Sequence, residues 1–133
     1  MSNLSHSVSR IPIELTLNDN EVVIAELVRH LSPLTIRKVI NSIPISGIIH
    51  EFGDSFIYIK TDFEIGSEKG SSQFNRGDIA FSPSNGFICV FIRKSVIAQK
   101  FNLIGRVLSN NLDLFLSIHT GDRLSIKKSV SVT

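Results

Sequence analysis

The sequence predicts a single, mainly β domain closed into a small barrel, with a short helix plugging each end. Three observations predict it. The apolar residues are dominated by Ile, Val, Leu and nine Phe, and β-branched and aromatic side chains pack well on a pleated surface. Gly, Pro and Asn clusters punctuate the chain roughly every ten residues, the rhythm of a sandwich or barrel. Only two short stretches read as helix, and closing the sheet removes exposed strand edges.

At 133 residues the chain is one domain. We divide it into a tail over residues 1–9, a barrel domain over residues 10–128 and a second tail over residues 129–133. Ile11 to Leu17 alternates, with Ile13, Leu15 and Leu17 on one face. Asn18-Asp19-Asn20 turns the chain into a second strand, Glu21 to Leu27. Ser32 is placed to cap a helix over about Leu34 to Asn41, with Pro33 in its first turn and Pro44 as its stop. Leu34, Ile36, Val39 and Ile40 form its apolar stripe.

Strands at Gly47 to Phe52 and Ser55 to Thr61 flank the Gly53-Asp54 turn. Glu64 to Gln73 reads as a loop with an edge strand. Asp78 to Phe81 and Phe87 to Ile92 are strands around Pro83-Ser84-Asn85-Gly86. On the second of these, Phe87, Cys89 and Phe91 share one face and Ile88, Val90 and Ile92 the other. A strand apolar on both faces has the core on one side and a helix or groove on the other. Ser95 to Lys100 carries no decisive pattern. Phe101 to Leu108 is a strand, Leu112 to His119 a short helix ended by Gly121, and Arg123 to Lys128 the last strand.

Composition excludes several classes. Cys89 is the sole cysteine, so no internal disulfide forms. No apolar run approaches the roughly 20 residues of a membrane span, and the polar start lacks the apolar stretch of a signal peptide. A cytoplasmic protein with no membrane partner is expected. The 14 basic residues are scattered among 12 acidic ones, without the basic, aromatic-studded patch of a nucleic-acid binder. His6, His30, His50 and His119 show no ligand spacing, so no metal and no cofactor is expected.

The run Gly77-Asp78-Ile79-Ala80-Phe81-x-Pro83, then Phe87-Ile88-Cys89-Val90-Phe91, Asn102-Leu103-Ile104-Gly105-Arg106-Val107 and Gly121-Asp122, resembles the cyclophilin-like family of small prokaryotic proteins. Gly53-Asp54 ahead of Phe56-Ile57-Tyr58, and Ile43-Pro44 after the helix, fit the same pattern. The resemblance spans Ile11 to Lys128 and implies a closed eight-stranded cyclophilin-like β-barrel with a surface groove. Departures stand beside it. Ser55 and Ile57 replace an acidic residue and a Tyr, Ser82 replaces an aromatic, and Ile92-Arg93 replaces a closing Gly. True cyclophilins carry an Arg on the strand after the first helix, next to a groove floored by Gln and Phe. Here no Arg lies between Lys38 and Lys60, and Cys89 stands where the Gln is expected, with Phe91 matching the groove Phe.

The candidate ligand-binding residues are Tyr58, Phe81, Phe91 and Asn102. Each has a plainer reading: Tyr58 as a wall aromatic, Phe81 and Phe91 as core, and Asn102 as the cap of a turn through its own side chain. Arg106 faces solvent or pairs with an acid, and Gly105 allows close backbone approach. No catalytic constellation assembles. The first functional reading is a groove binding a small molecule or short peptide, without efficient prolyl isomerase activity. The second is an enzyme, a prolyl isomerase or a relative of amide hydrolases. The third is an interaction protein whose apolar strand face is covered by a second copy as a homodimer.

Overall fold

The computed structural model describes residues 9–108 and 110–129, so most of both expected tails lies outside the described residues. Ten strands are present among them: β1 (Arg10–Leu17), β2 (Glu21–Val28), β3 (Ile45–Ile48), β4 (His50–Phe52), β5 (Phe56–Lys60), β6 (Ser71–Phe74), β7 (Asp78–Ser82), β8 (Phe87–Phe91), β9 (Ser95–Val107) and β10 (Arg123–Lys128). The helix α1 spans Pro33–Ser42, and the second expected helix is a 3₁₀ segment, Asn110–Ser117.

The closed eight-stranded barrel is corrected. The sheet runs β3-β10-β1-β2-β9-β7-β8-β5-β4, with β6 pairing β9 off this path, and among the described residues no ladder joins its two ends. The expected strand Gly47 to Phe52 is broken at Ile49. That residue leaves both ladders and exchanges backbone hydrogen bonds with Asp122 and Gly121 instead. The sheet still curls on itself: a Cβ on Gly47 of β3 would lie 3.2 Å from the Cβ of Ile59 on β5. The two ends therefore lie side by side without being hydrogen-bonded as a barrel.

The concave face holds the main core. Ile13, Leu15 and Leu17 enter it from β1, as the alternation predicts, and Ile57, Ile59, Ile88 and Val90 enter from β5 and β8. Ile36 and Val39 of α1 and Phe115 of the 3₁₀ segment pack into the same core. At under three turns α1 is too short to stand on its own propensity, so this packing holds it.

The capping of α1 differs from expectation. Ser32 makes no side-chain cap; its Oγ donates to the carbonyl of Leu103 at 2.8 Å. The free amides are met from far along the chain. Leu34 and Thr35 donate their backbone N–H to Glu68 Oε1 and Oε2 at 2.9 and 2.7 Å. A carboxylate there satisfies orphan donors and sits at the positive end of the helix dipole.

Strand β9 is the hinge of the architecture. Its first residues pair β6, through Val96↔Gln73 and Phe101↔Ser71. Residues 97–100 bulge between those pairs. Its second half pairs β7 and β2. There the register jumps from Leu103↔Ala80 to Gly105↔Ile79, so Ile104 is an extra residue. A bulge of this kind bends the strand and re-phases its side chains.

Candidate functional site

Strand alternation decides what the site contains, because successive side chains point to opposite faces. On β8, Ile88 and Val90 enter the main core while Phe87, Cys89 and Phe91 face away from it. On β5, Ile57 and Ile59 face inward, and Phe56 and Tyr58 outward. A second, aromatic cluster thus forms on the outer face from Phe56, Phe74, Phe91 and Phe101, with Cys89 and Ala80. Phe74 of β6 stacks on Phe91, centroids 4.5 Å apart at 13°, so β6 covers part of this cluster.

Beside β6 the cluster stays open as a groove of about 350 Å³. Its apolar walls are the rings of Phe52, Phe56, Phe87 and Phe101 with Val96 and Ile97. Ser55, Asn85 and Gln99 bring the polar groups. One wall is the bulged segment of β9, the stretch in which the sequence showed no pattern. Phe52 and Val96 leave apolar surface in water at the mouth, 57% and 76% exposed.

The four sequence-predicted residues do not converge. Tyr58 and Phe91 lie on the outer face; Phe81 and Asn102, which are register partners, lie on the inner face. Phe81 is fully buried in the main core, where it packs near Phe63. Phe91 is fully buried beneath Phe56 and Phe74 rather than facing the groove. Tyr58 is half-buried between His50 and Phe87, with ring centroids at 5.2 and 4.1 Å, and so buttresses the groove wall from behind. The physical reason is parity: β7 pairs β8 with Phe81 opposite Ile88, which commits Phe81 to the core side.

Asn102 is fully buried and hydrogen-bonded at both ends of its amide. Its Oδ1 accepts from the Glu68 N–H at 2.7 Å. Its Nδ2 donates to Thr35 Oγ1 at 3.1 Å and to the Gly66 carbonyl at 3.0 Å. The Thr35 hydroxyl in turn donates to Glu68 Oε2 at 2.6 Å. Asn102 thereby ties β9 to α1 and to the loop between β5 and β6.

Burial pushes the Glu68 carboxyl upward, but hydrogen bonds from the Thr35 hydroxyl and the Leu34 and Thr35 amides outweigh it and hold the group below its ordinary value. A depressed carboxyl contributes stability above its unfolded value, lost as pH falls through the folded one. Stability is therefore expected to fall on the acid side of 4.5. Glu68→Gln should be less stable at neutral pH and flatter across that limb, as read by denaturant melts in a series of buffers. An acid limb identical in the two proteins would contradict this capping role.

The remaining candidate residues have definite surroundings. Arg106 pairs with the buried Glu26, 3.4 Å away. His50 and Glu51 point to opposite sides, as strand neighbours do: His50 stacks on Tyr58, while Glu51 accepts from Thr120 Oγ1 at 3.0 Å. Cys89 is buried, and burial pushes its thiol up, away from the thiolate a nucleophile needs. Among the described residues no group of three His, Cys, Asp or Glu side chains comes together for a metal, and no helix is long and apolar enough to cross a membrane.

Comparison with known proteins agrees with this architecture. The solution structure of the hypothetical protein AF2241 from Archaeoglobus fulgidus is similar over 91% of this chain and 96% of its own, at TM-score 0.73 and 21% identity. The structure of McbB in complex with tryptophan is similar over 91% of this chain and 46% of its own, at TM-score 0.69 and 11% identity. At such identities the likeness is one of fold. No curated protein sequence matches the chain. The model of the family described as Cyclophilin-like matches residues 11–127, and the chain belongs to that family.

Proposed function

We propose that the chain is a binding module whose outer groove takes a small molecule or short peptide, without efficient prolyl isomerase activity. One observation carries this reading: the open, ring-walled groove of about 350 Å³ between β8 and the bulged wall of β9. Ligand sites are mostly apolar with a few placed polar groups, and four Phe with Ser55, Asn85 and Gln99 match that description. McbB, of the same fold, is in complex with tryptophan, which supports a small-molecule ligand.

Turnover has less support. Isomerisation must lower a barrier of roughly 18–20 kcal/mol, which calls for a donor aimed at the amide as it loses double-bond character. Among the described residues, the groove walls contain no Arg, His, Cys or carboxylate. In a coupled assay on a proline peptide, the rate is expected to stay at the uncatalysed level. Acceleration comparable to that of a true cyclophilin, abolished by Phe87→Ala, would favour the enzyme reading. Thermal-shift screening of metabolites and short peptides tests binding, since a specific ligand raises stability by mass action.

A further inference from the structure

The groove has a chemistry that narrows its ligand, and the argument rests on the reading of this groove as the ligand site. Its rings come from four separate strands: Phe52 from β4, Phe56 from β5, Phe87 from β8 and Phe101 from β9. Phe52 and Phe56 lie nearly parallel, 4.8 Å apart at 7°. Phe101 meets Phe56 edge-on at 79°. Phe87 is backed by Tyr58 at 4.1 Å. Rings held by one another cost little to order further, and they attract a planar π system in stacked or edge-to-face contact.

Charge narrows the ligand again. Among the described residues the walls carry no ionisable side chain, so a charged group drawn inside would lose water without gaining a partner. The polar groups are neutral amides and a hydroxyl. Gln99 Oε1 accepts from Ser84 Oγ at 3.3 Å, and Asn85 Nδ2 donates to Ser82 Oγ at 3.3 Å. The Gln99 amide N–H₂ and the Asn85 carbonyl oxygen make no further hydrogen bond among the described residues. One donor and one acceptor therefore stand at the edge of a ring-walled slot. Its volume is at the lower end of the roughly 300–1,000 Å³ of small-molecule sites, which suits one or two fused rings better than an extended peptide.

We infer that the groove binds a neutral, planar heteroaromatic molecule, its ring against Phe52, Phe56 and Phe87 and its edge hydrogen-bonded by Asn85 and Gln99. The chain contains no Trp and one Tyr, Tyr58. Indole emission is thus free of protein indole background, and the Tyr behind Phe87 is a built-in reporter. The test titrates the full chain with indole, with indole-3-acetate as the charged form of the same ring, and with a blocked alanyl-proline peptide as an apolar non-aromatic ligand.

Indole should bind saturably with a blue-shifted emission and a change at Tyr58, and indole-3-acetate about tenfold more weakly or worse. Phe52→Ala should lower indole affinity by up to about tenfold. That ring is exposed, so its removal leaves folding intact, and an unchanged melting temperature verifies this. Binding of the proline peptide but not indole would overturn the aromatic class while leaving the groove as a ligand site. Equal binding of the two indoles, or indole binding indifferent to both Phe52→Ala and Asn85→Ala, whose carbonyl oxygen is the acceptor open to the indole N–H, would also overturn it. Binding of none of the three probes would overturn it and count against the groove itself.

Discussion

Replacing Gly105 with alanine is expected to be among the most damaging single changes in this protein. A Cβ at that position would lie 2.0 Å from the carbonyl oxygen of Glu26 and 2.9 Å from the Cα of Leu27. Both are backbone atoms of β2, the strand that β9 pairs through Leu27↔Gly105. No rotamer change relieves such a contact. The ladder must open, and with it the junction where the Ile104 bulge redirects β9. Overpacking typically costs roughly 1–3 kcal/mol; a clash with backbone should reach or exceed the top of that range. Gly66→Ala is the control. A Cβ there meets nothing within 4 Å, so its effect should stay within about 0.5 kcal/mol. Urea melts of the two variants measure the difference, and a Gly105→Ala protein as stable as Gly66→Ala would refute the close approach.

Asn102→Ala should be nearly as costly, for a different reason. The substitution leaves the Glu68 N–H and the Gly66 carbonyl without their partner, and deprives Thr35 of a donor to its hydroxyl. A buried polar group left unsatisfied costs about 1–3 kcal/mol; Thr35 is fully buried, Glu68 half-buried and Gly66 exposed to water, so a loss within about 1–3 kcal/mol is expected. Asn102→Asp should not rescue, because it removes both donors and brings a second carboxylate toward Glu68. Since Asn102 faces away from the groove, affinity for a groove ligand should be unchanged wherever the variant remains folded. Reduced affinity at an unchanged melting temperature would restore Asn102 as a ligand contact.

Much of this architecture was legible from local pattern. The alternation of Ile13, Leu15 and Leu17, the Pro33 start of α1, and the two apolar faces of β8 all follow from side-chain periodicity. So does the outer cluster that Phe87, Cys89 and Phe91 imply. Gly105 was legible as a close approach because a Gly inside a strand marks a bulge, a bend or a place where another backbone comes near. What was not legible depends on distant partners. The cap of α1 comes from Glu68, 34 positions from Leu34, so Ser32 looked like the cap. The strand break at Ile49 is made by Gly121 and Asp122 and leaves no mark in Gly47 to Phe52.

The site was half legible. Ile79 and Phe81 alternate with Asp78, Ala80 and Ser82, which already marks Phe81 as inward. Grouping it with Phe91 crossed the sheet, and a one-residue change of parity moves a side chain to the other face. Asn102 was drawn in by family pattern, although its position is that of a buried cap. The bulged wall at residues 97–100 carries no periodicity because it pairs with nothing regularly.

Ligand is expected to bind the outer groove and not the face of Phe81 and Asn102. Chemical-shift mapping tests it most directly, with the isotope-labelled chain titrated first with indole and then with the proline peptide. Saturable shifts are expected at Phe52, Asn85, Phe87, Ile97 and Gln99, with a smaller response at Tyr58 and none at Phe81, Asn102 or Thr35. Shifts centred on Phe81, Asn102 and Thr35, with the groove residues unmoved, would contradict it.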